Sequence, residues 1–429
     1  MTEAAGDVRW LRWAVPVERR ELPALVLSFV YFFCLLCSYY MLRPVRDEMG
    51  IRGGVENLQW LFSATFVAML VASPTFAAMA ARLPRRTLVP MVYAFFIVCI
   101  LGFFAWMNSG VATPWAARVF FVWLSVFNLF VVSVFWSFMA DIYDSAQARR
   151  LFGVIAAGGS LGAIAGPGVT ALLAARIGPA NLLPLAAAVL AVAVPCAMAL
   201  GRWARGAGDR AETAGAVGGG FMEGVMEVAA SRYLLGICVF IWLYTTLSTF
   251  LYFEQAHIIE AAFADSATRT SVFAGMDLAV NVLTVSLQLL ATERLVRRLG
   301  LPAALALVPV VVGLGFAALA VSPGVGVLIA FQIVRRAGNY ALARPGREML
   351  FTTVTRGEKY KAKNFIDTVV YRGGDAASGW AYAGLAGLGL GLSAIALVAV
   401  PLAALWAVIG AWLGRRHLMM VGSANHESG

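Results

Sequence analysis

Long apolar runs separated by short polar segments extend over most of the chain. A helix needs about 20 apolar residues to cross a hydrocarbon core of about 30 Å. Twelve runs reach roughly this length, so the pattern predicts an all-α polytopic membrane protein with twelve transmembrane helices. The predicted spans are residues 22–43, 57–80, 87–108, 116–140, 151–175, 180–201, 233–253, 270–292, 300–321, 325–346, 363–386 and 389–412.

Composition supports this class, because 61% of the residues are hydrophobic and only 13% are charged. The first apolar run is too long for the core of a signal peptide, so no cleavable leader is expected. The five cysteines all fall inside apolar runs, and we interpret them as packing residues. The net charge of +10 lies mainly in the loops, which argues against binding of nucleic acid.

The loop charges predict the orientation of the chain. Of the 33 Lys and Arg residues, 24 fall in the termini and loops on one side of the spans and six fall on the other. Basic loops remain in the cytoplasm. We therefore expect a multi-pass protein of the inner (cytoplasmic) membrane with both termini in the cytoplasm.

An internal repeat divides the chain into two halves. Residues 80–90 read AARLPRRTLVP and residues 292–302 read TERLVRRLGLP, and each segment joins the second and third spans of its half. Two six-span halves in the same orientation are typical of major-facilitator transporters. The predicted divisions are an N-terminal tail (1–21), a six-helix bundle (22–202), a linker with a short amphipathic helix (203–232), a second bundle (233–414) and a C-terminal tail (415–429).

Charged residues inside the spans are the first candidates for function, because such residues are costly in a membrane. Spans 3, 6, 9 and 12 contain none, as expected for the lipid-facing helices of this architecture. The cavity-lining spans contain both signs of charge. The charged residues inside these spans are Arg335, Arg336, Arg372, Asp277, Asp367 and Asp375. The alternative interpretation is that these six residues only pair with one another and hold helices together.

A second group of charges lies at the ends of spans. Arg43, Arg46, Asp47 and Glu48 follow the first apolar run, on the side that has few basic residues. They form either a cavity-facing helical cluster or a solvated loop with mutual salt bridges. Glu254 and His257 end span 7, and we interpret Glu254 as either a coupling carboxylate or a solvated span end.

Arginine chemistry favours an anionic substrate. The planar guanidinium group binds phosphate or carboxylate with two parallel hydrogen bonds. Arg335 and Arg336 point about 100° apart on a helix, so one acid is not expected to satisfy both. We expect Asp375 to hold Arg372, leaving Arg335 or Arg336 for the anion with Asn339 as a neutral donor.

Two motifs resemble a known family. Residues 43–61 read RPVRDEMGIRGGVENLQWL and residues 358–375 read EKYKAKNFIDTVVYRGGD. They resemble the nucleotide transporter family, the ATP/ADP antiporters of plastids and intracellular bacteria, and its bacterial relatives in the major facilitator superfamily. The resemblance implies exchange or import of a phosphorylated metabolite such as ATP or ADP, with Arg46, Asp47 and Asp367 carried over as candidates. This family usually has Lys where Arg46 stands.

Three functions remain open from the sequence. The first is a secondary transporter that exchanges anions or nucleotides by alternating access. The second is a proton-coupled transporter of another organic solute that uses Asp277, Glu254 or Asp375. The third is a membrane sensor or enzyme built on a transporter fold. No Walker loop or cluster of histidines is present, so we expect no enzyme activity, cofactor or metal site. We also expect a monomer.

The topology is testable with reporter fusions. A reporter fused after Gly110 should be active in the periplasm, and one fused after Gly215 should be active in the cytoplasm. The reverse result at either position contradicts the predicted orientation.

Overall fold

The structure is a computed structural model. It describes residues 17–111, 113–206, 228, 231–354, 362–363 and 365–427. The predicted amphipathic helix in the linker and most of the Lys-rich entry to span 11 lie outside the described residues.

The predicted spans are present as helices, which we number α1 to α12. Their bounds are α1 Leu22–Arg52, α2 Leu58–Arg82, α3 Arg85–Asn108, α4 Thr113–Ile142, α5 Ser145–Ile177, α6 Leu182–Gly206, α7 Arg232–Ala262, α8 Ser266–Leu290, α9 Thr292–Val321, α10 Val325–Gly338 continuing through Asn339–Ala343 to Arg344–Leu350, α11 Ile366–Val370 continuing as Tyr371–Gly387, and α12 Leu392–Glu427. The twelve-helix fold class is therefore confirmed.

Ten described helices are long and apolar enough to cross a membrane by length and composition. The two others, α10 and α11, are interrupted by π-helical turns at Asn339–Ala343 and Ile366–Val370. These turns leave uninterrupted α-helical segments of only 14 and 17 residues. A π-turn widens the helix locally and is frequent at functional sites.

The twelfth span, placed at 389–412, continues as a helix to Glu427. Two other predicted span ends are wrong because of charged residues. The first span, placed at 22–43, continues as a helix to Arg52 with Pro44 inside it. The solvated-loop interpretation of Arg43 and Arg46 is therefore wrong as well. The seventh span, placed at 233–253, continues to Ala262. Both errors have one cause: charged residues were taken to end an apolar run, whereas they are buried inside the helix.

Glycines in α5 allow close contact with α1. A Cβ atom on Gly162 would clash with the carbonyl oxygen of Phe33, and one on Gly166 would lie 2.5 Å from the carbonyl oxygen of Cys37. Small residues at such crossings let two backbones approach in the membrane. The sequence predicts close helix packing at Gly158, Gly159 and Gly162, and the contacts of Gly162 with α1 agree with it. This close approach fixes the position of α1.

Substitution of Gly162 should therefore reduce folding. We expect Gly162→Val to lower the yield of folded protein severely, because neither backbone can move without shifting α1. Gly153→Ala on the same helix is the control, since a Cβ there meets open space. Size-exclusion profiles of the purified variants measure the effect, and a normal Gly162→Val profile would contradict the packing role.

Candidate functional site

Charged side chains from four helices meet near the middle of the bundle. We call them the central charge cluster. It comprises Arg43, Arg46, Asp47, Asp277, Arg335, Arg336, Arg372 and Asp375. The first three come from α1 and the others from α8, α10 and α11, so the cluster lies between the two halves of the chain.

Asp277 is the centre of the cluster. Its Oδ1 atom lies 2.8 Å from Nη1 of Arg43 and 2.7 Å from Nη1 of Arg336. The Asp277 side chain is only 1% exposed. Since Arg43 belongs to the first half and Arg336 to the second, one buried carboxylate links both halves. Charge-assisted bonds of this length are among the stronger hydrogen bonds in proteins.

Arg335 is held differently from its neighbour. Its Nη1 donates to Oγ of Ser248 at 2.7 Å and its Nη2 donates to Oε1 of Gln332 at 2.9 Å. Gln332 in turn donates to Gln255 at 2.6 Å. Within the described part of the chain, no carboxylate lies within ion-pair distance of Arg335, and its Nε has no partner. The positive charge of Arg335 is therefore solvated only by neutral groups.

A small cavity lies beside the cluster. It is lined by Arg46, Arg372, Asp375, Phe62, Thr65 and Phe66. The Arg46 guanidinium lies 3.9 Å from the centre of the Phe121 ring, a cation–π contact that fixes its direction. Arg372 lies 3.8 Å from Asp375, whose Oδ1 accepts a hydrogen bond from Thr249. One guanidinium from each half therefore reaches the same cavity.

Asp47 and Glu48 connect α1 to the second half. The hydroxyl of Tyr252 donates to Asp47 at 3.0 Å. Glu48 is fully buried and accepts two bonds from Arg269, at 2.6 Å from Nε and 2.7 Å from Nη2. The sequence placed Arg269 in a loop and missed this pair. The available signal was Asp265, four residues earlier, in position to cap α8.

The cap holds Arg269 in place. Asp265 accepts hydrogen bonds from the backbone N–H and the hydroxyl of Thr268, and these bonds lower its pKa below the usual value for aspartate. Arg269 also donates to the carbonyl oxygens of Phe263 and Ala264. The start of α8 is therefore well defined, which positions the guanidinium for both oxygens of Glu48.

Further contacts join the halves on the same side. Trp60 and Trp380 meet edge to face at 4.7 Å, and the indole N–H of Trp380 donates to Ser63 at 3.0 Å. Nearer the middle, Asn281 donates to the carbonyl oxygen of Ala163 at 2.6 Å. Asn281 lies one turn after Asp277 on α8. These described contacts lie at mid-level or toward the side away from the basic loops.

Two candidate residues lie away from the cluster. Asp367 is 42% exposed and lies 3.7 Å from Arg347, so the suggested pairing of Asp367 with the intramembrane arginines is wrong. Glu254 lies on the second half at 1% exposure, so the solvated span end is also wrong. Asn339 donates to the hydroxyl of Tyr244 at 3.1 Å. The π-helical turns at Asn339–Ala343 and Ile366–Val370 displace Asn339 and Asp367 from α-helical register, which a periodicity argument cannot foresee.

Solved structures share this fold at low sequence identity. The nucleoside transporter NupG is 16% identical, with 94% of this chain and 99% of that chain covered and a TM-score of 0.63. The POT family transporter PepTSo is 14% identical, with coverage of 94% and 99% and a TM-score of 0.64. A bacterial homologue of the iron transporter ferroportin, in an inward-facing state, is 14% identical, with coverage of 92% and 98% and a TM-score of 0.67.

No curated protein matches the chain by sequence. The family model of the Major Facilitator Superfamily matches residues 20–355, which is more than half of the chain. Together with the ten apolar helices, this match indicates a multi-pass membrane transporter rather than an enzyme. The chain therefore belongs to the major facilitator superfamily, whose members carry small molecules across membranes.

Proposed function

We propose that the chain transports an anionic phosphorylated metabolite, such as a nucleotide, by exchange across the inner membrane. The observation that carries this proposal is the charge of the central cluster. Its five arginines face three carboxylates, which leaves two positive charges when all groups are ionised. By sequence alone, the same five arginines are balanced by five acids, namely these three with Asp367 and Glu48. In the structure, Asp367 and Glu48 pair instead with Arg347 and Arg269.

Arg335 is the principal anion-binding candidate. An uncompensated charge near the centre of a membrane costs about 3 kcal/mol on insertion scales. A protein that retains such a charge without a carboxylate partner gains no stability from it. The unpartnered Nε of Arg335, together with Nε and Nη2 of Arg336, are buried donors without acceptors among the described residues. An anion bound between the halves beside Arg335 and Arg336 would supply the missing acceptors.

Arg46 and Arg372 provide a second point of attachment. Both guanidinium groups line the cavity, one from each half. A substrate with separated anionic groups, such as a diphosphate, binds both halves at once. The two phenylalanines that line the cavity, Phe62 and Phe66, offer an apolar surface for a planar ring. The resemblance of the Arg46–Asp47 segment to the ATP/ADP antiporters supports the same substrate class.

The conformation supports alternating access. The described contacts between halves lie at mid-level or on the side away from the basic loops, where Glu48, Arg269, Trp60 and Trp380 meet. If the basic loops are cytoplasmic, these contacts close the periplasmic side, as an inward-facing state requires. We further propose that the chain works as a monomer, with residues 22–202 and 233–414 moving as the two halves.

The two adjacent arginines should respond differently to substitution. In liposomes loaded with ATP, we expect Arg335→Gln to raise the apparent KM for labelled ADP by about tenfold or more, as loss of about 1.5–3 kcal/mol from a charged hydrogen bond implies. Arg336→Gln should mainly reduce the folded yield, because it leaves Asp277 with one partner instead of two. Initial rates of uptake measure the first effect.

Arg176→Gln is the matched control, because Arg176 is exposed at the end of α5. It should transport as wild type does. Liposomes without internal nucleotide should show little uptake if transport is an exchange. Uptake driven by a pH gradient alone, or wild-type KM in both Arg335→Gln and Arg336→Gln, would contradict the anion exchanger.

The Glu48–Arg269 pair should hold the present conformation closed. Removing one partner of a buried ion pair typically costs about 3–5 kcal/mol. We therefore expect Glu48→Gln to shift the population toward opening on that side. The measurement is the rate of thiol labelling of a cysteine introduced at Leu61, which is 4% exposed and packs among side chains of the second half. This rate should rise at least tenfold.

The charge reversal Glu48→Arg with Arg269→Glu is the control, since it restores one pair in the opposite sense. It should recover much of the slow labelling. Unchanged labelling in Glu48→Gln would show that the pair does not stabilise the closed side.

A further inference from the structure

Glu254 is a buried carboxyl group that the anion site does not use. It lies on α7, two turns before the helix ends, and is 1% exposed. Its one described hydrogen bond is donated by the hydroxyl of Tyr382 to Oε1 at 3.4 Å, which is long for this bond type. Phe250 and Phe253 pack against the Tyr382 ring and complete an apolar surrounding. This environment differs from that of every carboxylate in the central cluster.

Among the described residues, no basic side chain from the helices packed against α7 contacts Glu254. From α1, Asp47 reaches Tyr252 instead. From α10, Arg335 reaches Ser248, almost two turns away from Glu254. On α11, Asp375 contacts Thr249 and not Glu254. The titratable group of α11 that contacts Glu254 is the hydroxyl of Tyr382.

The remaining titratable neighbours also have other partners. From α12, His417 lies near Tyr233, at the far end of α7. In the turn Val55–Asn57, Glu56 accepts a hydrogen bond from Asn57. On α7 itself, His257 has its Nδ1 at 2.8 Å from the carbonyl oxygen of Phe253, and its ring lies 6.1 Å from the Tyr382 ring. Glu254 therefore has no ion-pair partner among the described groups.

The ionised form of a carboxyl group has an unfavourable free energy in such a site. The effective penalty for burying an ion in a protein is several kcal/mol, and one long hydrogen bond offsets only part of it. Protonation removes the charge and needs no rearrangement of the packing. We propose that Glu254 is a proton-binding site: it holds a proton in this conformation, releases it to water when the halves separate, and takes it up again on closure.

The position of Glu254 explains how opening would expose it. Tyr252, two residues earlier, is bonded to Asp47 of the first half. On α11, Gly379 packs against Gln59 of the first half and Phe253 of α7, one turn before Tyr382. Separation of the halves breaks both contacts at the same level and hydrates the Glu254–Tyr382 pair. The next residue, Gln255, connects through Gln332 to Arg335, which links the proton site to the proposed anion site.

The experiment is an infrared titration of the purified protein without any substrate. Wild-type protein should show the carbonyl band of a protonated carboxyl group at acidic and neutral pH, and this band should disappear at alkaline pH. The band should be absent in Glu254→Gln. It should remain in Glu260→Gln, a control at an exposed acid on the same helix. A band that persists unchanged in folded Glu254→Gln overturns the proposal.

Tyr382→Phe gives a second test that does not depend on the folding of Glu254→Gln. Loss of the hydroxyl removes a donor to the ionised form, so the band should persist to higher pH than in wild type. Glu48→Gln, which favours separation of the halves, should have the opposite effect and lose the band at lower pH. A titration unchanged in both variants overturns the proposal. Because no anion is present, failure of the anion exchanger would leave these results unaffected.

Discussion

The carboxylate of Asp277, shared between Arg43 and Arg336, is the interaction on which the rest of the site depends. An arginine near the centre of a membrane needs a partner, and here two arginines from different halves use the same oxygen of one acid. Removal of the acid would leave two buried cations facing each other. The pairing therefore joins α1, α8 and α10 at a single point and determines where the two halves can meet.

This constraint separates the charges into two groups. Arg269 pairs with Glu48, Arg43 and Arg336 pair with Asp277, and these ion pairs stabilise the closed arrangement. Arg335 has only neutral partners, and Arg372 keeps a long contact with Asp375. The second group is therefore available to a ligand. A buried network with unused donors suits a site that is completed by its substrate, since full internal satisfaction would leave nothing for an anion to bind.

Much of the fold was predictable from the sequence, because length and hydrophobicity identify spans and charge-free spans identify the lipid-facing helices. The extended ends of α1 and α7 were not predictable, since Glu48 and Glu254 are polar by residue type and are buried only through tertiary contacts. The pairing of Arg372 with Asp375 follows from spacing along one helix. Spacing does not show which of Arg335 and Arg336 lacks a carboxylate partner. That depends on Asp277, which contacts Arg336 from α8, and on Ser248 and Gln332, which contact Arg335.

The central claim is that the excess positive charge between the halves binds an anion. Thermal unfolding of the purified protein with ADP or adenosine, at equal ionic strength, tests it most directly. A ligand at 100 times its dissociation constant stabilises the folded state by about 2.7 kcal/mol. The account predicts a clear rise in melting temperature with ADP and little change with adenosine. Equal stabilisation by the uncharged nucleoside, or none by any phosphorylated compound tested, would contradict it.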